Sequence, residues 1–263
     1  MFAKILFPVV VASAVAHAGV HSGKATADLL AESTTYQPGQ PVHAAVRLKM
    51  DPGWHTYWSN PGEGGMKIDV KWQLPEGWTA GEPGHPVPKA FLTGGLAGYG
   101  YEGTVIFPLT LTPPAEASGK VKATATISWL TCNDDACIPG KAEISLEFEQ
   151  DEPAQTPDAE AIRTAREKLP RPLAGTKLTV TERGKSLELT LSVPESLNLT
   201  SAKVFPETPQ AVDPSATLQF MKSGDVWTAT VAKNEYASGP LKTLSLVIGS
   251  ETPVRVTWNA ENP

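Results

Sequence analysis

Cys132 and Cys137 are the only two cysteines in 263 residues. They lie in "SWLTCNDDACIPGK", 128–141, separated by "NDDA". Residue types and spacing allow three chemistries. The first is a structural staple. A bridge closing about six residues restricts the unfolded chain by roughly 2.2 kcal/mol, against roughly 4 kcal/mol for a loop of about fifty. A cross-sheet staple would also separate its cysteines by tens of residues around a core tryptophan, so this spacing is a poor way to stabilise a fold. The second is a metal site. Two thiolates leave two tetrahedral positions to fill. His21, His43, His55 and His85 all lie far from the pair in sequence, and Asp134 and Asp135 are hard ligands in a short loop. Copper(I) on the two sulfurs is the form of this reading that ligand softness allows. The third is thiol–disulfide exchange, which needs an exposed sulfur and a path for an attacking thiolate. A turn between strand ends supplies both. Asp134 and Asp135 disfavour a thiolate beside them, which suits a pair attacked by a partner better than an activated attacker.

The elements that must position this pair are strands. Apolar residues alternate with polar ones in "VHAAVRLKM" (42–50), "KIDVKWQL" (67–74), "VKATATISWL" (121–130) and "AEISLEFE" (142–149), each bounded by Gly, Pro, Asn or Asp. Period-two runs between turn signals read as half-buried antiparallel strands, and many short ones imply a sandwich. Near residue 150 a Pro-rich acidic stretch leads to a short helix. Thr156 is its expected cap, Pro157 its first residue, and Ile162, Ala165 and Leu169 its shared face. Seven further strand-like runs follow, among them "AKVFP", "ATLQFM" and "LKTLSLVIG". The expected architecture is all-β: two immunoglobulin-like sandwiches at 24–150 and 173–260, joined by a helical, Pro-rich linker at 151–172.

The first residues, "MFAKILFPVVVASAVAHAGV", place Lys4 before an apolar run ending in Ala16-His17-Ala18. That is the pattern of a signal peptide over 1–18, too short for a retained membrane span. Export puts the cysteines where disulfides persist. The chain carries a net charge of −6 with no basic run, which argues against nucleic acid or anionic lipid as partner. No later apolar run has the length of a membrane helix, so no membrane insertion of the mature chain is expected. "PGEGG" lacks the strand-to-helix context of a phosphate cradle, and no Ser-His-Asp order stands out; no cofactor or metal is expected. Trp54, Trp58 and Trp129 read as packing residues.

Three blocks, "GWHTYWSNPGEGG" (53–65), "YGYEGTVIFPLTL" (99–111) and "SWLTCNDDACIPGK", occur in the order seen in the N-terminal periplasmic domain of the thiol:disulfide interchange protein DsbD family. With "VFPETPQAVDPSATLQF" (204–220), the chain resembles more particularly the ScsB-like branch, which has two immunoglobulin-like domains. The resemblance implies a domain that carries electrons as a dithiol. A membrane-embedded donor reduces it, and it reduces periplasmic thioredoxin-fold proteins. It places Cys132 and Cys137 on the redox pair and casts Cys137 as the sulfur that forms mixed disulfides. It also implies a shielding loop, matched by 94–103, with Leu96, Tyr99 and Tyr101 as candidate cap residues and His55 and Tyr57 beside the pair. The transporter and thioredoxin-like domains fused to many family members are absent from this sequence, so donor and client are expected as separate chains. Two other readings stay open: a binding module with an inert bridge, and a periplasmic copper-handling protein.

Overall fold

The computed structural model describes residues 19–261; the expected signal peptide, 1–18, lies outside them. The protein is all-β. In the first domain one sheet runs, strand by hydrogen-bonded strand, Val20–Ser22, Ala25–Ala31, Val42–Met50, Thr104–Thr112 and Thr79–Ala80. The facing sheet runs Thr35–Tyr36, Cys137–Gln150, Val121–Cys132, His55–Gly62, Leu96–Glu102 and Lys89–Thr93, and Asp69–Gln73 also pairs with Val121–Cys132. Alternation decides which side chains fill the space between. Ala44, Val46 and Leu48 from one sheet meet Ala123, Ala125, Ile127 and Trp129 from the other, all fully buried. Val20–Ser22 joins the first sheet, so the domain begins a few residues before the expected position 24.

The segment 151–172 is no free linker. Its helix is Ala159–Glu167, starting two residues after the expected Pro157, because Thr156 first forms a turn: Asp158 N–H donates to its hydroxyl and Ala159 N–H to its carbonyl. Ile162 is buried against Leu30 and Ala45 on the outer face of the first sheet. Arg171–Pro172 then pairs with Val254 and Arg255 of the second domain.

The second domain packs the sheet Arg171–Pro172, Val254–Asn259, Thr243–Gly249, Lys203–Pro206 over the sheet Lys177–Arg183, Ser186–Ser192, Val226–Ala232, Met221–Ser223. "ATLQFM" is not a strand: Leu218 and Phe220 are buried in irregular chain, and pairing starts at Met221. One strand pair is buried on both faces. Val204, Leu246 and Ile248 point into this domain's own core, whereas Phe205 and Val247, direct cross-strand partners, join the core of the first domain. Burial on both faces is why "LSLVIG" reads as an almost unbroken apolar run.

Candidate functional site

Val121–Cys132 and Cys137–Gln150 form one long hairpin, and its tip carries the cysteines. Asn133 builds the turn. Its side-chain oxygen accepts from the N–H groups of Asp135 and Ala136 at 3.0 and 2.8 Å, and its own N–H donates to the Ala136 carbonyl at 2.9 Å. A short Asx-type turn of this kind fixes register, so Cys132 faces Cys137 directly, with Cα atoms 4.1 Å apart and the sulfurs bonded. That separation belongs to a cross-strand pair without ladder hydrogen bonds, where side chains lie closest. The two sulfurs differ in setting: Cys132 is fully buried, whereas Cys137, Asp134 and Asp135 are exposed.

On its other side Cys132 pairs with His55. Partners across an antiparallel ladder present side chains to the same face, so Cys137, Cys132 and His55 form a row. Tyr57, two residues on, extends the face, its ring edge-on to His55 with centroids 5.3 Å apart. Burial lowers the His55 pKa, with the charges of Glu102 and Asp134 pulling the other way. Burial raises that of the Tyr57 hydroxyl.

The row is covered by the hairpin Lys89–Thr93/Leu96–Glu102. Thr93 Oγ1 lies 3.2 Å from His55 Nε2, and Gly94 sits beside the cysteine turn, where a β-carbon on it would stand 3.8 Å from the Asp134 carbonyl. Phe91 rests on His55 at 4.1 Å and on Tyr57 at 5.9 Å between ring centroids. The glycines explain how it fits. Gly98 and Gly100 alternate on the face toward Phe91, and a β-carbon at either would stand 3.1 or 3.0 Å from its ring. An aromatic thus fills a strip of sheet that has no side chains. Gly65, at φ +147°, closes the other side of the site, so near the Tyr57 ring that no β-carbon fits.

The expected site residues therefore separate. His55 and Tyr57 lie on the cysteine-bearing face. Leu96 shares the face of Gly98 and Gly100 by alternation; it is half-exposed at the hairpin tip and leans over Gly64. Tyr99 and Tyr101, expected as cap residues, are on the opposite face, because residues of odd number in this strand point the other way. The Tyr99 ring packs on Trp58 and Phe205, and its hydroxyl donates to the Pro214 carbonyl at 3.3 Å. The Tyr101 hydroxyl donates to the Pro86 carbonyl at 2.8 Å. Burial pushes the Tyr99 pKa up to about 12 and also raises that of Tyr101 well above its ordinary value. Phe91 and Thr93 take the covering positions instead. The alternation of Gly98 and Gly100 with larger residues in "GLAGYGYEG" was the signal that could have found Phe91, since a bare strip demands a cover. Among the described residues no group of three or more His, Cys, Asp or Glu gathers into a metal-sized cluster.

The model of the family "Thiol:disulfide interchange protein DsbD, N-terminal" matches residues 26–149. Residues 26–149 are a DsbD N-terminal-like domain. The fold extends the likeness across the second sandwich. The crystal structure of the N-terminal periplasmic domain of ScsB from Proteus mirabilis superposes with a TM-score of 0.65 at 24% identity, covering 90% of this chain and 93% of that one. Spo0M, a sporulation control protein from Bacillus subtilis, gives a TM-score of 0.26 at 13% identity, over 91% of each chain. A search of curated proteins gives no match. The DsbD N-terminal-like domain and its Cys132–Cys137 disulfide fit thiol–disulfide exchange in general terms. No helix among the described residues is long and apolar enough to cross a membrane.

Proposed function

We propose that this protein is an exported electron carrier, periplasmic like the ScsB domain it resembles. It takes two electrons from a separate membrane-embedded donor and passes them, through Cys132 and Cys137, to thioredoxin-fold clients. The observation that carries this reading is the asymmetry of the pair: an exposed Cys137 bonded to a fully buried Cys132.

The chemistry follows from that asymmetry. In the reduced carrier, Cys137 as thiolate attacks a client disulfide. Its sulfur bonds to one client sulfur, and the other client sulfur leaves as a thiolate. Cys132, after losing its proton, attacks the Cys137 sulfur, reforms the internal bridge and expels the remaining client thiolate. Two electrons move to the client, whose two thiolates take up two protons. The buried position keeps Cys132 from outside disulfides and leaves it beside the one sulfur it must attack. Phe91, Thr93 and Leu96 restrict which molecules reach the bridge; Asp134 and Asp135 tune the approach by charge.

Trapping tests the reading. Cys132→Ala leaves Cys137 unable to resolve, so a covalent adduct with a thioredoxin-fold protein should accumulate in periplasmic extract. The adduct should vanish on reduction and be absent with Cys137→Ala. Equal trapping by both single variants would remove the assigned roles, and no adduct from either would remove the reading.

A further inference from the structure

The second domain is bolted to the back of the cap. Strands His55–Gly62 and Leu96–Glu102 turn His55, Tyr57, Gly98 and Gly100 toward the disulfide's face, and from their other side Trp58, Asn60 and Tyr99 reach the second sandwich. Trp58 and Tyr99 both meet the Phe205 ring, with centroids 6.2 and 5.9 Å apart. The Tyr99 hydroxyl donates to Pro214. Between Tyr57 and Gly62 the ladder bulges, and within that bulge the buried Asn60 donates from Nδ2 to the Pro206 carbonyl at 2.7 Å. Its Oδ1 accepts from Gly62 N–H at 3.2 Å. Gly62 then pairs with Gly98 beneath Phe91. Glu63 adds a clamp: its N–H donates to the Ala97 carbonyl at 3.0 Å, and its carboxylate accepts from Ala97 N–H at 2.5 Å.

We infer that the second sandwich is a brace that sets the closure of the cap over the Cys132–Cys137 bridge, with Phe205, Asn60 and Tyr99 as positioning residues. Two-domain chains hinge freely unless the interface is large and apolar. Here Phe205 and Val247 are part of the first domain's own core, which removes that freedom. An edge hairpin rich in glycine is the part of a sheet that opens most readily. Its apolar back, carrying Tyr99 and Tyr101, needs cover to remain an ordered strand. The second sandwich supplies that cover at Tyr99, so the cap's resting position depends on contacts made away from the sulfurs. This inference concerns access to the bridge and rests on the proposed exchange role only for its biological meaning.

The test measures the rate at which dithiothreitol reduces the disulfide in the full chain, at fixed pH, for Phe205→Leu and Asn60→Asp. The control is Leu189→Val, inside the second domain's separate core, chosen to match Phe205→Leu in lost unfolding stability. Asn60→Asp should be reduced roughly fivefold faster, the factor one ordinary hydrogen bond represents, and Phe205→Leu, which loses ring packing on Trp58 and Tyr99, should also be reduced several-fold faster. Amides of 89–102 should exchange hydrogen faster in the same variants. Leu189→Val should change neither. Equal acceleration in the control, or unchanged rates in both interface variants, would overturn the brace. The readout needs no client, so a failed trapping experiment leaves it intact, and a failed brace leaves the exchange reading intact.

Discussion

His55 and Cys132 are direct cross-strand partners, both buried, while the cysteine on the far side of Cys132 is exposed. A weak base therefore stands in the same row as the sulfur that, in the proposed exchange, gives up a proton during resolution. Its lowered pKa keeps it neutral near pH 7, the form able to accept that proton. His55→Gln keeps a polar side chain of similar reach and removes the titration. Resolution of a mixed disulfide on Cys137, followed by stopped flow after adding a client adduct, should slow by about tenfold or more, the low end for a lost general base. The slowing should shrink as pH approaches the thiol's own range. A uniform slowing at every pH would assign His55 to packing alone.

A second buried histidine, His85, should weaken the fold in acid. His85 is pushed down to about 4, first by burial, then by the charges of Lys67 and Arg255. Its Nδ1 is buried without a partner, and its ring stands edge-on to Phe107. The unfolded chain binds this proton below about pH 6.5, whereas the folded chain resists it until about 4. Stability is therefore unaffected above 6.5 and falls as pH drops between those values. The loss from His85 is on the order of 2–3 kcal/mol at the acid end. Urea midpoints for the native chain at pH 7 and pH 4.5 should differ markedly, and His85→Gln should narrow the gap.

Much of this architecture could be read from the sequence. The strand Val42–Met50 begins and ends where the alternation does, and "NDDA" at the end of the alternating run "VKATATISWL" marks the turn that carries the cysteine pair. The cap was not readable to the same depth. "GGLAGYGYEG" signals an edge strand, but its two faces are chemically similar to a reader who lacks the register. The resemblance points to both tyrosines as cap residues, yet alternation turns them to the other face: Tyr101 to Pro86 and Phe107, and Tyr99 to a second domain some 100 residues further along the chain, a contact that nothing local in sequence encodes. Phe91, an isolated aromatic in "KAFLT", acquires meaning only once its strand pairs with the glycines. The helix starts two residues later than its sequence predicts, because the Thr156 hydroxyl reaches back to the Ala31 carbonyl and holds the preceding turn away from helical geometry.

Removing the bridge should cost the fold little. It closes so short a loop that the entropic contribution is about 2 kcal/mol, and the hairpin around it is held by a continuous ladder from Val121 to Cys132. Cys132→Ala with Cys137→Ala should stay folded, with near-native circular dichroism and an unfolding free energy lower by about 2 kcal/mol. A collapse of the fold would instead make the bridge a structural staple.

Gly100 should tolerate no side chain. A β-carbon there would overlap the Thr56 carbonyl, which is backbone and cannot swing aside, and would also press on Phe91. Gly100→Ala should therefore destabilise the protein by several kcal/mol, in the range of overpacking a fixed position (~1–3 kcal/mol or more). Phe91→Ala leaves the ladder intact and costs less, about 1–2 kcal/mol for a half-buried ring. The informative measurement is accessibility. Phe91→Ala should raise the rate of reduction by a bulky thiol more than by a small one, because the ring is the lateral wall of the row. Equal acceleration for both thiols would mean that Phe91 governs the chemistry of the bridge and not its access.

Charge at the turn should discriminate among attacking thiols. Asp134 and Asp135 are exposed on either side of the hairpin apex, and Glu102 pairs across the ladder with His55. An anionic attacker such as glutathione meets this field as it nears Cys137, whereas a neutral reagent such as dithiothreitol carries only the charge of its thiolate. Repulsion between exposed charges is screened over about 8–10 Å at ordinary ionic strength. Asp134→Asn with Asp135→Asn should therefore speed reduction by glutathione several-fold in low salt and by less in 0.5 M salt. The effect on dithiothreitol should be smaller at every ionic strength. A client suited to this face would then present basic residues around its own cysteine, and neutralising the two aspartates would slow that client while favouring glutathione. The opposite movement of the two rates is the deciding observation: if both rise together, the aspartates act on the bridge itself and do not select its partner.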